Sequence, residues 1–149
     1  MIMNTIMMAG LVIGQIGAPI PGLQPTPEVK LKDAYASVDL AQGPVYESFM
    51  RGFVGPFVTE FQKSSRGLMP SRRCVEEAGS LTFSVMVEHH FGELTISEVR
   101  ELLSCECDKR LMKLVNFDEP LRKKLDKELK AFAIRASENK AAYIQQQGQ

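Results

Sequence analysis

The chain has 149 residues, and its 18 basic and 18 acidic side chains give a formal net charge of zero at pH 7. This length fits one domain that can bury a modest core. A balanced charge argues against a nucleic-acid-binding face that acts through bulk positive charge. We therefore expect a protein partner or self-association, and no nucleic acid.

The first 27 residues, 1–27, carry no charged side chain, and every Asp, Glu, Lys and Arg lies from Glu28 onward. Residues 6–16 have the length of the apolar core of a secretory signal, and the small residues Gly17 and Ala18 follow them. We predict that residues 1–22 are a signal peptide cleaved after Gly22. The protein would then be exported, either to the periplasm or as a secreted protein.

Two other interpretations of this leader stay open. A membrane-spanning helix needs about 20 apolar residues, and Pro19 would end a helix near Ala18. Such an anchor is slightly short, but it would allow a membrane contact through residues 1–22. The leader could instead be an uncleaved arm that packs on the same protein or on a neighbouring subunit of an assembly, such as a virion or a secretion machine.

Residues 23–44 are rich in Pro and also contain Gly43, which predicts a linker of irregular structure. A helical domain is expected over residues 45–144. The Gln-rich tail, residues 145–149, should fray.

An aromatic stripe marks the first predicted helix. Its members recur at every fourth position, which places them on one helical face. Gly52, Gly55 and Pro56 interrupt the run, so we expect a kink or two short helices that meet near Gly55. Phe53 and Phe57 are expected to be core residues, with an interaction surface as the alternative. The stripe consists of Val45, Phe49, Phe53, Phe57 and Phe61.

Ser71 follows a break at residues 67–70 and is a good N-cap for a second helix that runs to about Phe91. Residues 81–87 alternate between apolar and polar, so a strand is the competing interpretation there. The flanking acids favour the helix. Its predicted inner face is Val75, Ala78, Thr82, Val85 and His89.

Two further helices have clear start signals. Thr95 and Glu98 form a capping box, in which hydroxyl and carboxylate each satisfy a free backbone amide. Asp118 caps the fourth helix, where Pro120 is tolerated in the first turn. The buried side of the third helix is predicted to be Val99, Leu102, Leu103, Cys107, Leu111 and Leu114, and that of the fourth is Leu121, Leu125, Leu129, Phe132 and Ala136. Four such helices with short connections predict an all-α bundle.

The three cysteines are candidates for a disulfide. Cys105 and Cys107 lie two apart on the predicted helix, so their side chains should diverge by about 200°. We therefore expect neither a bridge between them nor joint binding of one metal ion. In an exported protein Cys74 could bridge one of them, and a buried, unpaired Cys74 is the alternative.

His89 and His90 are the only histidines of the chain. They should point about 100° apart on a helix, unlike the i, i+4 pair of helical zinc sites. His89 and Glu93 have helical metal spacing but lack a third ligand nearby. We predict no metal, no cofactor and no catalytic residue. A metal- or thiol-dependent activity around His89, His90 and the cysteines is kept as an alternative.

Residues 90–103, followed by Ser104 and by residues 109–112, resemble part of a bacterial family of exported α-helical domains of unknown function. The family has a Phe-Thr-x-x-Glu helix start, then Phe-Tyr-x-Ser-Pro-x-Gly, then a basic, apolar helix end. Ser104-Cys105-Glu106-Cys107 stands here in place of Ser-Pro-x-Gly. The resemblance implies a signal peptide and a helical bundle, and no catalytic residues. The predicted function is that of a non-enzymatic, exported helical interaction or structural protein, with a subunit of a larger assembly as the alternative.

Overall fold

A computed structural model describes residues 28–34 and 38–145. The predicted leader, residues 1–22, and residues 146–149 of the tail lie outside this range. Within it the protein is all-α, as predicted, and contains no strand; residues 81–87 belong to a helix. The helices are α1 (Pro44–Ser64), α2 (Arg72–Phe91), α3 (Ile96–Leu103), α4 (Glu119–Glu138) and α5 (Lys140–Tyr143), with 3-10 helices at Leu31–Asp33 and Lys109–Val115.

The chain divides into two compact units, and the described residues of 28–39 belong to the same unit as Gly92–Val99. Here part of the predicted linker pairs with the start of α3. The Leu31 amide donates to the carbonyl of Leu94 at 2.8 Å, and the Ile96 amide donates to that of Val29 at 2.9 Å. Leu31 is 6% exposed. This part of the linker is therefore packed.

The predicted capping box at the start of α3 is confirmed. The Glu98 amide donates to Thr95 Oγ1 at 3.1 Å, and the Thr95 amide donates to Glu98 Oε1 at 2.8 Å. The predicted extension of this helix to Leu114 is wrong, because α3 ends at Leu103. Asp108 instead accepts a hydrogen bond from the Arg110 amide and caps a separate 3-10 helix. Its side chain competes with a continuous helix by bonding the backbone locally.

In the second unit, Leu40–Phe91 with the chain from Arg100 onward, α2 packs against α1, α4 and α5. The buried side of α2 differs in part from the prediction, since Val75 and Val85 are only partly buried. The core lies mainly between α2 and α4 because both helices bury apolar side chains along their length. Its members include Cys74, Ala78, Phe83, Val87, Leu121 and Phe132.

Helix α1 is one continuous helix of 21 residues with Pro56 inside it. The expected pair of short helices does not form, since Pro56 removes a single intrahelical bond, the one to the Gly52 carbonyl. Helix α1 packs against α2 at Gly79 of α2. A Cβ added at Gly79 would overlap the Met50 side chain of α1 and lie 3.4 Å from the Phe53 ring. The missing side chain at Gly79 thus permits a close approach of the two helices.

The N-terminus of α2 is capped by Ser71, as predicted, since its Oγ accepts from the Cys74 amide at 3.1 Å. The same hydroxyl donates to the Ala142 carbonyl at 2.7 Å. The Ser71 amide donates to the Tyr143 carbonyl at 2.9 Å, and the Tyr143 hydroxyl donates to Glu77 at 2.7 Å. One serine therefore joins α2 to α5.

The described helices were also compared with the length and hydropathy of membrane spans. None of them is long and apolar enough to cross a membrane.

Candidate functional site

The second unit contains an apolar groove of about 720 Å³. It lies between α1, α2, the 3-10 helix Lys109–Val115 with the residues around it, and α4. Its volume falls in the range of ligand-binding clefts, which is about 300–1,000 Å³. The side chains that form its walls include Phe49, Phe53, Phe57, Phe83, Met86, Leu111, Leu114, Val115, Phe117 and Leu129.

The aromatic stripe of α1 forms one wall of this groove. The ring centroids of Phe49 and Phe53 are 5.3 Å apart, and those of Phe53 and Phe57 are 5.2 Å apart, with both pairs stacked. Phe53 and Phe57 pack on one side against the buried cluster around Cys74 and Phe132. Both remain only partly buried. The expectation that they are core residues therefore holds for the side of the rings that packs on this cluster. Both rings also line the groove.

The charged side chains that line the groove are acidic. Among its described lining residues, Glu60 and Glu106 carry charge, and both are acids. Glu60 pairs with the exposed Lys63 at 3.5 Å, whereas Glu106 makes no ion pair with any described residue. The Gly52 carbonyl has no amide four residues later to bond, since residue 56 is proline. The groove thus offers acceptors and a negative edge.

Exposed apolar side chains continue the groove at its edge. Val115 is 76% exposed and Phe117 is 39% exposed, and both line the groove; the neighbouring Met112 is 72% exposed. Scattered exposed apolar residues are ordinary on a protein surface. A contiguous set that borders an apolar groove is a mark of an interaction site.

A second cluster forms where α2 ends and α4 begins. His89, His90 and Asp118 each offer one atom that could bind a metal ion, and these three atoms lie within 4.8 Å of one another. The helical spacing suggested His89 with Glu93 as metal ligands, but Glu93 forms ion pairs with Lys30 and Lys32 in the first unit. Asp118 was recognised only as a helix cap, because nothing local links it to a histidine 29 residues away.

Hydrogen bonds fix the orientation of Asp118 and His89. Asp118 Oδ1 accepts from the Leu121 amide at 2.9 Å, and Oδ2 lies 3.0 Å from His89 Nε2. Lys124 Nζ donates to His89 Nδ1 at 3.1 Å. Since an ammonium only donates, Nδ1 is the acceptor and the ring proton is on Nε2, from which it bonds Asp118. Both hydrogen bonds lower the pKa of the Asp118 carboxyl, and the one with His89 has a larger effect than the one from the Leu121 amide.

The cysteines are arranged differently from the prediction. Since α3 ends before them, Cys105 and Cys107 lie in a turn with their sulfur atoms 2.6 Å apart, so their predicted divergence is wrong. Their hydrogen bond lowers the pKa of Cys105 and raises that of Cys107. All three cysteines are free thiols, and Cys74 is buried, where desolvation raises its pKa to about 11. A disulfide between Cys74 and one of the other two cysteines stays a prediction.

The chain was then compared with known proteins. No family model, no curated protein and no solved structure matches it. The resemblance to exported helical domains stays a prediction. The function is therefore argued from the geometry of the two sites.

Proposed function

We propose that this protein is a non-enzymatic helical interaction protein whose groove binds an amphipathic helix of a partner protein. The observation that carries the proposal is the aromatic wall of Phe49, Phe53 and Phe57, which lines the groove together with the exposed Val115 and Phe117. Helices commonly bind in such grooves through apolar side chains at i, i+3, i+4 and i+7. Export remains part of the proposal and depends on the uncharged leader.

The length of the groove supports a helix as its occupant. Its lining residues on α1 extend from Val45 to Glu60, which corresponds to ~22 Å at 1.5 Å per residue. A partner helix of about four turns has the same length. It can place a row of apolar side chains along the whole wall.

Charge complementarity defines the other face of the partner. Glu60 and Glu106 border the groove without a basic lining residue, and the Gly52 carbonyl is an acceptor without its usual helical donor. A partner helix that carries Lys or Arg beside its apolar face would meet these groups. Such contacts at an interface edge contribute to orientation and association rate more than to affinity.

Two glycines of α1 provide a matched test. Gly52 lines the groove and Gly55 does not, and a Cβ added at either position meets no atom within 4 Å. Gly52→Leu should therefore fill the groove without disturbing the fold, and Gly55→Leu is the control. Both changes improve helix propensity by a similar amount, about 1 kcal/mol.

The probe is a fluorescein-labelled amphipathic helical peptide of about four turns with Leu on one face and Lys on the other. We expect the wild-type protein and Gly55→Leu to bind it in a fluorescence polarisation titration, and Gly52→Leu to bind about tenfold more weakly or worse. A peptide with Glu in place of Lys should bind more weakly to the wild-type protein. Equal affinity of both glycine variants would contradict the proposal.

Self-association is measured in the same variants by light scattering over a range of protein concentrations. A dimer that Gly52→Leu disrupts and Gly55→Leu leaves intact would identify a second copy of the chain as the occupant. That result would replace the partner helix with the assembly alternative. We expect both variants to match the wild-type protein.

A further inference from the structure

We propose that His89, His90 and Asp118 bind a divalent transition-metal ion of the Zn²⁺ type. The three side chains come from the last turn of α2 and from the residue before α4, and their donor atoms lie within 4.8 Å of one another. This inference is independent of the groove. It assigns a role to the histidines, which the proposed function does not use.

The spacing of the donor atoms fits a small metal ion. Zinc lies about 2.0–2.2 Å from nitrogen and oxygen ligands, so tetrahedral ligand atoms are ~3.4 Å apart by geometry. His89 Nε2 and Asp118 Oδ2 are 3.0 Å apart. No two of the three ligand atoms are more than 4.8 Å apart. The His90 ring contacts His89 edge to face at a centroid distance of 4.9 Å, and binding of an ion would require the three ligand atoms to move closer together.

The scaffold around the carboxylate is already ordered. Asp118 Oδ1 is held by the Leu121 amide, which leaves Oδ2 directed at His89. The His89 side chain is 14% exposed and that of Asp118 is 38% exposed, so an ion can enter from solvent. The Asn116 carbonyl accepts a hydrogen bond from His90 Nε2 at 3.0 Å, which fixes the ring and leaves His90 Nδ1 as the nitrogen that can bind an ion.

The ligand types select the class of metal. Two imidazoles with one carboxylate suit Zn²⁺, Ni²⁺, Co²⁺ and Cu²⁺. Ca²⁺ and Mg²⁺ prefer sets made of oxygen atoms alone. We therefore expect Zn²⁺ to bind and neither Ca²⁺ nor Mg²⁺ to compete with it.

Lys124 opposes metal binding in this geometry. The ion takes the lone pair of His89 Nε2, so the ring proton moves from Nε2 to Nδ1. Lys124 Nζ lies 3.1 Å from Nδ1 and also donates. Two donors cannot share that position. The ammonium must therefore withdraw, and its removal should strengthen binding.

The test uses the untagged full chain with Cys105→Ser and Cys107→Ser, since paired thiols also bind zinc. Zn²⁺ is titrated by calorimetry, and the visible absorption of Co²⁺ reports coordination. Asp118→Asn is the informative variant, because Asn is an equally good N-cap while its amide is a poor metal ligand. We expect one ion per chain, and binding about tenfold or more weaker in Asp118→Asn.

Two further variants complete the design. Lys124→Met, introduced into the protein with Cys105→Ser and Cys107→Ser (the parent), should bind Zn²⁺ several-fold more tightly than the parent does. If Zn²⁺ bound at another site, this change would leave the affinity unaltered. Glu119→Gln, a change at the adjacent exposed acid, should leave the affinity unchanged. The proposal is overturned if the parent binds no Zn²⁺ below a Kd of about 100 µM, or if Asp118→Asn, with its melting temperature unchanged, binds like the parent.

Discussion

Replacing Phe53 with alanine is expected to destabilise the protein less than the same change at Phe83. Phe83 also borders the groove but is 0% exposed, so truncation loses the transfer free energy of the whole ring and costs about 3–5 kcal/mol. Phe53 is partly buried, and the space its ring leaves is continuous with the groove. Only part of the transfer free energy is then lost, about 1–2 kcal/mol.

These energies correspond to separable melting temperatures. For a chain of this size each kcal/mol shifts the midpoint by about 2–4 °C. We expect a decrease of about 3–6 °C for Phe53→Ala and about 10–15 °C for Phe83→Ala. Circular dichroism melts, with urea unfolding to check that the m-value is unchanged, measure the difference.

The result that would refute this reasoning is equal destabilisation by the two changes. It would mean that Phe53 is enclosed on all sides in solution. The groove would then be closed, and the proposed docking of a partner helix would lose its aromatic wall. A smaller effect at Phe53 agrees with the open groove.

Two other predictions follow from pKa shifts. Cys74 is buried and has a raised pKa of about 11, so it should resist alkylation in the native protein, while the exposed Cys105 and Cys107 react. Peptide mass spectrometry after alkylation would show which cysteines are modified. Modification of Cys74 in the native protein would contradict the prediction. Two hydrogen bonds lower the pKa of the Glu77 carboxyl: the one from Arg73 has the larger effect and the one from Tyr143 the smaller. The ionised carboxylate therefore stabilises the fold at pH values above the pKa that Glu77 has in the unfolded chain. This stabilisation is lost as the pH falls through the lower pKa of the folded protein. The Glu77→Gln variant should therefore have a lower melting temperature than the wild-type protein at pH 7, and the two melting temperatures should converge below about pH 4. A difference in melting temperature that does not change with pH would contradict the lowered pKa of Glu77.

Local signals predicted the starts of the helices well. The capping residues Ser71, Thr95 and Asp118 each bond the backbone within three residues, so short stretches of sequence contain all the information needed. The end of α3 was missed because Leu111 and Leu114 continue its apolar period, although they belong to a 3-10 helix. Periodicity identifies an apolar face but not the break between two helices.

The candidate sites depended on contacts that are distant in sequence. The stripe through Phe53 predicts one apolar face of α1, but whether another helix covers it depends on the position of the 3-10 helix and α4. Asp118 reaches His89 only through the tertiary fold. The two candidate sites were therefore less predictable from the sequence than the helices.

The bonds between Ser71 and α5 affect the order of folding. The Ser71 hydroxyl bonds the carbonyl of a residue 71 positions later, and the core cluster around Cys74 includes Tyr143. During synthesis α1 and α2 therefore emerge long before the residues that complete their packing. Until then part of their apolar surface is exposed, and the chain remains open to chaperones. The packing of the second unit is thus expected to be complete only after Tyr143 has left the ribosome.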